Sequence, residues 1–281
     1  MLLGVTSATG AAEQELVLQE RLKRQWTNEL VTFSFEAAEG QCHRDSVRLV
    51  GPRGPVPVQA SEVTFWPGSA VFVRTARLSF VVDLTPLAKD TYTVQFGVKA
   101  AETEQPATDL TVTREEGAAE FATSGFGVRL LEGAKQYDEP VSSEEVPGPV
   151  VDMRMGVRSG TPQASGARFG GSRMFGPGKI SAWSAEVTDN GPVFARAVIR
   201  YTYADGNTLD LTVQVVAGSQ RQVDAVADAH VAPEPRNRPR HVGLDILRDV
   251  FHPVVAHALL GRRQRCFIQD DGCHWPPIAR G

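Results

Sequence analysis

Between residues 193 and 215 apolar side chains fall on alternate positions. Val193, Ala195, Ala197, Ile199, Tyr201 and Tyr203 form one set, and Leu209, Leu211, Val213 and Val215 form a second, interleaved with Asp210, Thr212 and Gln214. A period of two places alternate side chains on opposite faces of an extended chain, so one face is buried and the other is wet. A helix needs a period near 3.6, which this stretch lacks. Between the two sets lies Asp205-Gly206-Asn207, whose residues tolerate the positive φ of a hairpin turn. Upstream, Ile180–Val187 reads as another strand before the turn Asp189-Asn190-Gly191-Pro192. Downstream, Gly218-Ser219 turns the chain into Gln222–Ala229. The segment is an antiparallel meander.

The same alternation governs the first third of the chain. Val31, Phe33 and Phe35 alternate with Thr32 and Ser34. Ala76, Leu78, Phe80 and Val82 alternate with Arg77, Ser79 and Asp83, and Tyr92, Val94 and Phe96 with Thr93 and Gln95. Breakers separate these runs at Gly51–Pro55, Pro67-Gly68 and Pro86. Short strands at such spacing predict a β-sandwich. Glu115-Glu116-Gly117 reads as a boundary, which sets an accessory sandwich at 15–118 and a second β unit, part of a larger supersandwich, at 119–232. Phe126, Val128 and Leu130 supply a strand, and the Gly-rich stretch 132–178 reads as a long loop. Residues 233–281 change character: eight Arg, no Lys, four of the six His and two of the three Cys. Ile246, Leu247, Val250 and Val254 have helical spacing interrupted by Pro253, so a short helix or irregular chain is expected there. The fold class is all-β.

A length of 281 residues suits two domains of ~100–200 residues each. The net charge of -4 argues against nucleic acid as a partner, since phosphate binding needs a basic surface. Three cysteines, Cys42, Cys266 and Cys273, are too few for a disulfide framework, and free thiols are favoured over a Cys266–Cys273 bridge. The opening MLLGVTSATGAAEQ lacks a basic region and has a weak apolar core. It reads equally as a secretory leader without its start or as a frayed terminus. No run has the ~18 apolar residues of a membrane helix.

Motifs for catalysis are sparse. Cys266, Cys273, His274, His252 and His257 are too loosely spaced for structural zinc, so no metal and no cofactor are expected. There is no Gly-x-Ser-x-Gly elbow, and the glycines around 170 lack the Gly-Lys-Ser/Thr of a phosphate loop. Glu186, Asp189, Asp205 and Asp210 flank the meander as turn formers and as a solvated face. Sugar sites combine flat aromatics with hydrogen-bonding side chains, and acidic sugars add Arg for the carboxylate. Arg168, Arg173, Trp183 and Glu186 fit that recipe and are the candidate ligand-binding residues. Trp26 and Trp66 read instead as packing at the edge of a core.

Two stretches carry a family likeness. Gln25–Val31, Asp45–Leu49 and Leu78–Leu84 resemble the N-terminal β-sandwich of large secreted bacterial polysaccharide lyases of the exo-rhamnogalacturonan lyase and ulvan lyase kind. Ala185–Arg196, continuing into Tyr201-Thr202-Tyr203, resembles the galactose-mutarotase-like sandwich of such enzymes. The resemblance covers residues 20–232 and rests on structural motifs. It implies a secreted or periplasmic protein and a polysaccharide or oligosaccharide partner, with the chain forming the front modules of a carbohydrate-active protein. The alternatives are a non-catalytic carbohydrate-binding module and a structural sandwich fragment. No catalytic motif matches residue by residue. For β-elimination, Arg168 or Arg173 is the candidate cation and His230 or Tyr137 the candidate base.

Overall fold

A computed structural model of the chain describes residues 11–102, 104–155, 168–174, 178–219, 224–230, 267–269 and 272–274. Among the described residues the chain is all-β with every paired strand antiparallel, and its one helical turn is a 3-10 turn at Ser143–Glu145. It divides into two compact units between Ala107 and Thr108.

The first unit holds β1 (Ala11–Gln19), β2 (Trp26–Glu36), β3 (Arg48–Gly51), β4 (Gly54–Val56), β5 (Gln59–Phe65), β6 (Val73–Leu84) and β7 (Lys89–Gly97). They form two sheets, ordered β1-β7-β3-β4 and β2-β6-β5. Alternation decides which side chains enter the core. Ala76, Leu78, Phe80 and Val82 of β6 are buried, while Arg77 and Asp83 on the other face are exposed. The two sheets meet through rings: Phe35 of β2 stands edge-on to Phe96 of β7 at 5.1 Å, and Phe80 of β6 packs at 4.9 Å from Tyr92 of β7. Each such side chain contributes ~1.5–3 kcal/mol on burial. Ala11–Gln14, read from the sequence as part of a leader or frayed end, begin β1 and pair with Val94–Gly97.

One end of this unit is tied by a carboxylate. Glu20, only 4% exposed, accepts hydrogen bonds from the backbone N–H of Leu22 (2.7 Å), Lys23 (2.8 Å) and Leu87 (2.8 Å), and from the Trp26 indole (3.3 Å). Lys23 and Leu87 both sit at positive φ, 57° and 63°. For non-glycine residues that region is costly, and the carboxylate bonds help to hold it.

The second unit holds β8 (Thr111–Glu115), β9 (Ala118–Ala122), β10 (Phe126–Leu131), β11 (Gly133–Ser142), β12 (Val150–Met155), β13 (Arg168–Gly170), β14 (Lys179–Asn190), β15 (Phe194–Tyr203), β16 (Thr208–Val216) and β17 (Asp224–His230). Its sheets are ordered β13-β12-β10-β9-β8 and β11-β14-β15-β16-β17. The expected meander is in place: β15 and β16 pair from Phe194↔Val216 to Thr202↔Thr208, and Asp205 accepts the Asn207 N–H in the turn. Phe121, Phe126, Val128 and Leu130 of one sheet share a buried core with Ile199, Tyr201, Leu211 and Val213 of the other.

Three expectations differ. Glu115-Glu116-Gly117 is the tight turn between β8 and β9, with Gly117 at φ 73°, and lies inside the second unit. The stretch 132–178 contains β11, β12 and β13 in place of one long loop. It was hidden because β11 is mostly exposed and polar, so no apolar alternation marks it. In the last stretch, the helix expected near 246–260 lies outside the described residues, and β18 (Phe267–Gln269) pairs with β19 (Gly272–His274) as a short hairpin.

Candidate functional site

Strand β14 lies between edge strand β11 and β15, and its register collects aromatic side chains at one end of the second unit. Trp183 stands opposite Lys135 on one side and Tyr201 on the other, and Ile180 stands opposite Tyr203. Directly opposed residues share a face, so Lys135, Trp183 and Tyr201 all face the sandwich interior. Tyr137, two residues beyond Lys135, joins them. Among the described residues β11 has one neighbour only, and this part of the inner face is partly open: Lys135 is exposed, while Tyr137, Trp183 and Tyr203 are half-buried and pack against the core.

The contacts fix the group. The Lys135 ammonium sits 4.7 Å from the centre of the Tyr137 ring, a cation–π distance. The Tyr201 hydroxyl donates to the Pro147 carbonyl at 3.0 Å. Burial pushes the Tyr201 phenol well above its usual range, and the neighbouring phenols of Tyr203 and Tyr137 add to this, so Tyr201 stays a neutral donor. Burial also raises the Tyr203 phenol, with Asp205 adding. Glycines border the rings. A Cβ on Gly178, at φ 139°, would lie 3.2 Å from Tyr203 Cδ1, and one on Gly133 would lie 3.9 Å from Trp183 Cη2.

The indole nitrogen of Trp183 is the unusual atom. It is buried and has no hydrogen-bond partner among the described residues. Such an orphan donor costs about 1–3 kcal/mol. The other two described tryptophans differ. Trp26 donates to Glu20, and Trp66 donates to the Ala37 carbonyl at 3.2 Å with the Arg74 guanidinium 5.4 Å from its ring. Both indoles are thus held by partners within the first unit.

The four sequence candidates do not form one cluster. Trp183 and Glu186 are three residues apart in a regular run of β14, so they project to opposite faces. Glu186 is exposed on the outer face, and it does not line the neighbouring shallow hollow of about 300 Å3, which is bordered by Lys135, Gln136, Ala182, Trp183, Ser184 and Thr202. Arg173 is exposed and forms a backbone β-bridge with Pro147, whose carbonyl receives the Tyr201 hydroxyl. Arg168 lies in β13, opposite Arg154, and His230 lies opposite Thr208. Both side chains are outside the described residues.

Sequence reasoning missed Lys135 and Tyr203. Lys135 stands in a polar edge strand without periodicity, and Tyr203 was counted with the core. Of the meander carboxylates, Asp210 takes both arms of the Arg200 guanidinium (2.7 and 2.6 Å), Asp189 pairs with Arg196 at 3.4 Å and Asp205 caps its own turn. Among the described residues no group of three or more His, Cys, Asp or Glu side chains could hold a metal ion. The cysteine–histidine constellation of the last stretch lies outside the described side chains. No helix among the described residues is long and apolar enough to cross a membrane. No protein-family model and no curated protein matches this sequence.

Proposed function

We propose that this chain is a carbohydrate-binding β-sandwich protein, the front modules of a polysaccharide-active protein, and that it takes an acidic saccharide at the end of the second unit where Tyr137, Trp183 and Tyr203 meet. The observation that carries this reading is the Trp183 indole N–H, buried with half-buried phenol rings packed against the same core and without an acceptor among the described residues. A sugar presents what such a place lacks: C–H faces for aromatic rings and hydroxyl oxygens for a donor. Lys135 brings positive charge to this end, which suits the carboxylate of a uronic acid, and Arg173, whose backbone bridges to Pro147, is the second candidate cation. The likeness of Ala185–Arg196 to mutarotase-like sandwiches agrees with this reading, as does the likeness of the first unit to the front module of polysaccharide lyases.

The test is to incubate the purified chain with a panel of acidic and neutral polysaccharides, following binding and unsaturated-product absorbance in parallel. Retention on acidic polymers, weakened by Trp183→Ala and by Arg173→Ala, is the expected result. Unchanged binding in Arg173→Ala removes that residue from the site. Product absorbance would add turnover, with Tyr137 as the base beside the bound sugar. No binding across the panel contradicts the reading and leaves a structural scaffold.

A further inference from the structure

The two loops that Glu20 ties together display leucines to solvent. Leu87 is 59% exposed and Leu22 is 46% exposed. Their backbones lie side by side, because one carboxylate accepts the N–H of Leu22 at 2.7 Å and that of Leu87 at 2.8 Å. Arg21, Lys23, Arg24 and Lys89 flank them in the same loops. All four are exposed, and none forms an ion pair among the described residues. We propose that this end of the first unit docks on an anionic lipid surface, with Leu22 and Leu87 entering the acyl boundary and the four cations meeting the headgroup phosphates.

Leu87 is a poor choice for its own fold. It sits at φ 63°, a region that glycine and asparagine adopt at less cost than leucine. A buried leucine could offset that cost through packing, but this one is mostly in solvent. Its side chain is therefore explained by something it meets outside the chain. The charge points the same way. The whole chain carries -4, yet residues 21–25 and 85–89 hold four cations and no carboxylate. The nearest acids are committed elsewhere: Glu20 is buried among its donors, Asp83 accepts the Asn28 N–H at 2.7 Å, and Asp90 lies on the inner face opposite Leu18. Protruding leucines offer neither the flat ring nor the hydrogen bonds of a sugar site. They suit an apolar layer beneath an anionic one, which a bilayer provides without a shaped pocket. Because Glu20 already fixes both loops, docking orders little further backbone. This inference stands on the first unit alone and does not require the second unit's site.

The experiment sediments the full chain with vesicles of equal parts phosphatidylcholine and phosphatidylglycerol, and with vesicles of phosphatidylcholine alone. Dissolved polygalacturonate serves as a polyanion without an apolar layer. The variants are Leu87→Asn, Arg24→Gln and, as a control, Val98→Asn, an exposed valine just past the far end of β7. Asparagine tolerates the backbone of Leu87, so thermal melts of Leu87→Asn should match or exceed those of the unaltered chain. The expected result is partition onto the mixed vesicles that weakens as salt is raised. It should fall about tenfold or more in Leu87→Asn and about fivefold in Arg24→Gln, and stay unchanged in Val98→Asn. Equal partition onto both kinds of vesicle, partition that Leu87→Asn leaves intact, or no partition at all overturns the proposal. So does binding to polygalacturonate, lowered by Arg24→Gln, in a chain that leaves the vesicles empty; that result assigns the patch to a soluble polyanion.

Discussion

The two units are both antiparallel sandwiches, yet they treat their tryptophans in opposite ways. In the first, Trp26 and Trp66 give their indole N–H to Glu20 and to the Ala37 carbonyl, so each ring is part of the frame. In the second, Trp183 packs against the core through its ring and leaves its N–H without an acceptor among the described residues. A satisfied indole stabilises the fold. An orphaned one costs stability until it finds an acceptor. This difference, more than the number of aromatic residues, directs attention to the second unit.

The comparison can be broken or sharpened by substitution. The largest effects belong to the two cores: Phe80→Ala and Phe121→Ala, both at fully buried rings, should each cost about 3–5 kcal/mol in denaturant melts. If either is silent, the corresponding sandwich is not a packed core.

Next comes the carboxylate that ties the first unit. Burial by itself raises the Glu20 carboxyl, but hydrogen bonds from the N–H of Leu87 and Leu22, the Trp26 indole and the Arg24 N–H outweigh it and lower it from 4.5 to about 2. A depressed folded value means that the stability is fully present above about 4.5 and is lost as pH falls from there toward 2. Thermal melts across that window should show a loss in the unaltered chain that Glu20→Gln, already destabilised at neutral pH, does not repeat. A parallel decline in both would remove Glu20 from its anchoring role.

A smaller effect separates the tryptophans directly. Trp26→Phe should destabilise by about 1–2 kcal/mol, because it removes a bond to a charged acceptor. Trp183→Phe should leave stability within about 0.5 kcal/mol of the unaltered chain, or raise it, because it removes an unpaired donor. Equal losses in both would show that Trp183 is framework after all. Smallest is Arg200→Ala: although Asp210 grips it with both oxygens, the guanidinium is more than half exposed, and a cost below about 1 kcal/mol is expected.

Much of this architecture was legible in the sequence. The strands of the meander and of β2, β6 and β7 announce themselves because one face of each meets the core and the other meets polar surroundings. What stayed hidden had physical reasons. Strand β11 is mostly exposed and polar, with Tyr137 and Val141 alone packed against the core, so Lys135 and Tyr137 carried no pattern. Glu116-Gly117 has the chemistry of a linker and of a tight turn alike, and only the pairing of Glu115 with Ala118 separates them. For the site, alternation could have shown that Trp183 and Glu186 cannot share a face, since an odd spacing in a strand divides them. The backbone bridge of Arg173 to Pro147 and the Tyr201 bond to the Pro147 carbonyl join residues distant in sequence, which no local pattern encodes.

The most direct test follows the indole N–H resonances of Trp26, Trp66 and Trp183 by NMR while an acidic oligosaccharide is added. The account predicts a saturable shift of the Trp183 signal as its hydrogen finds an acceptor, with Trp26 and Trp66 held by their own partners and unmoved. A Trp183 signal that stays still while the oligosaccharide demonstrably binds would contradict it.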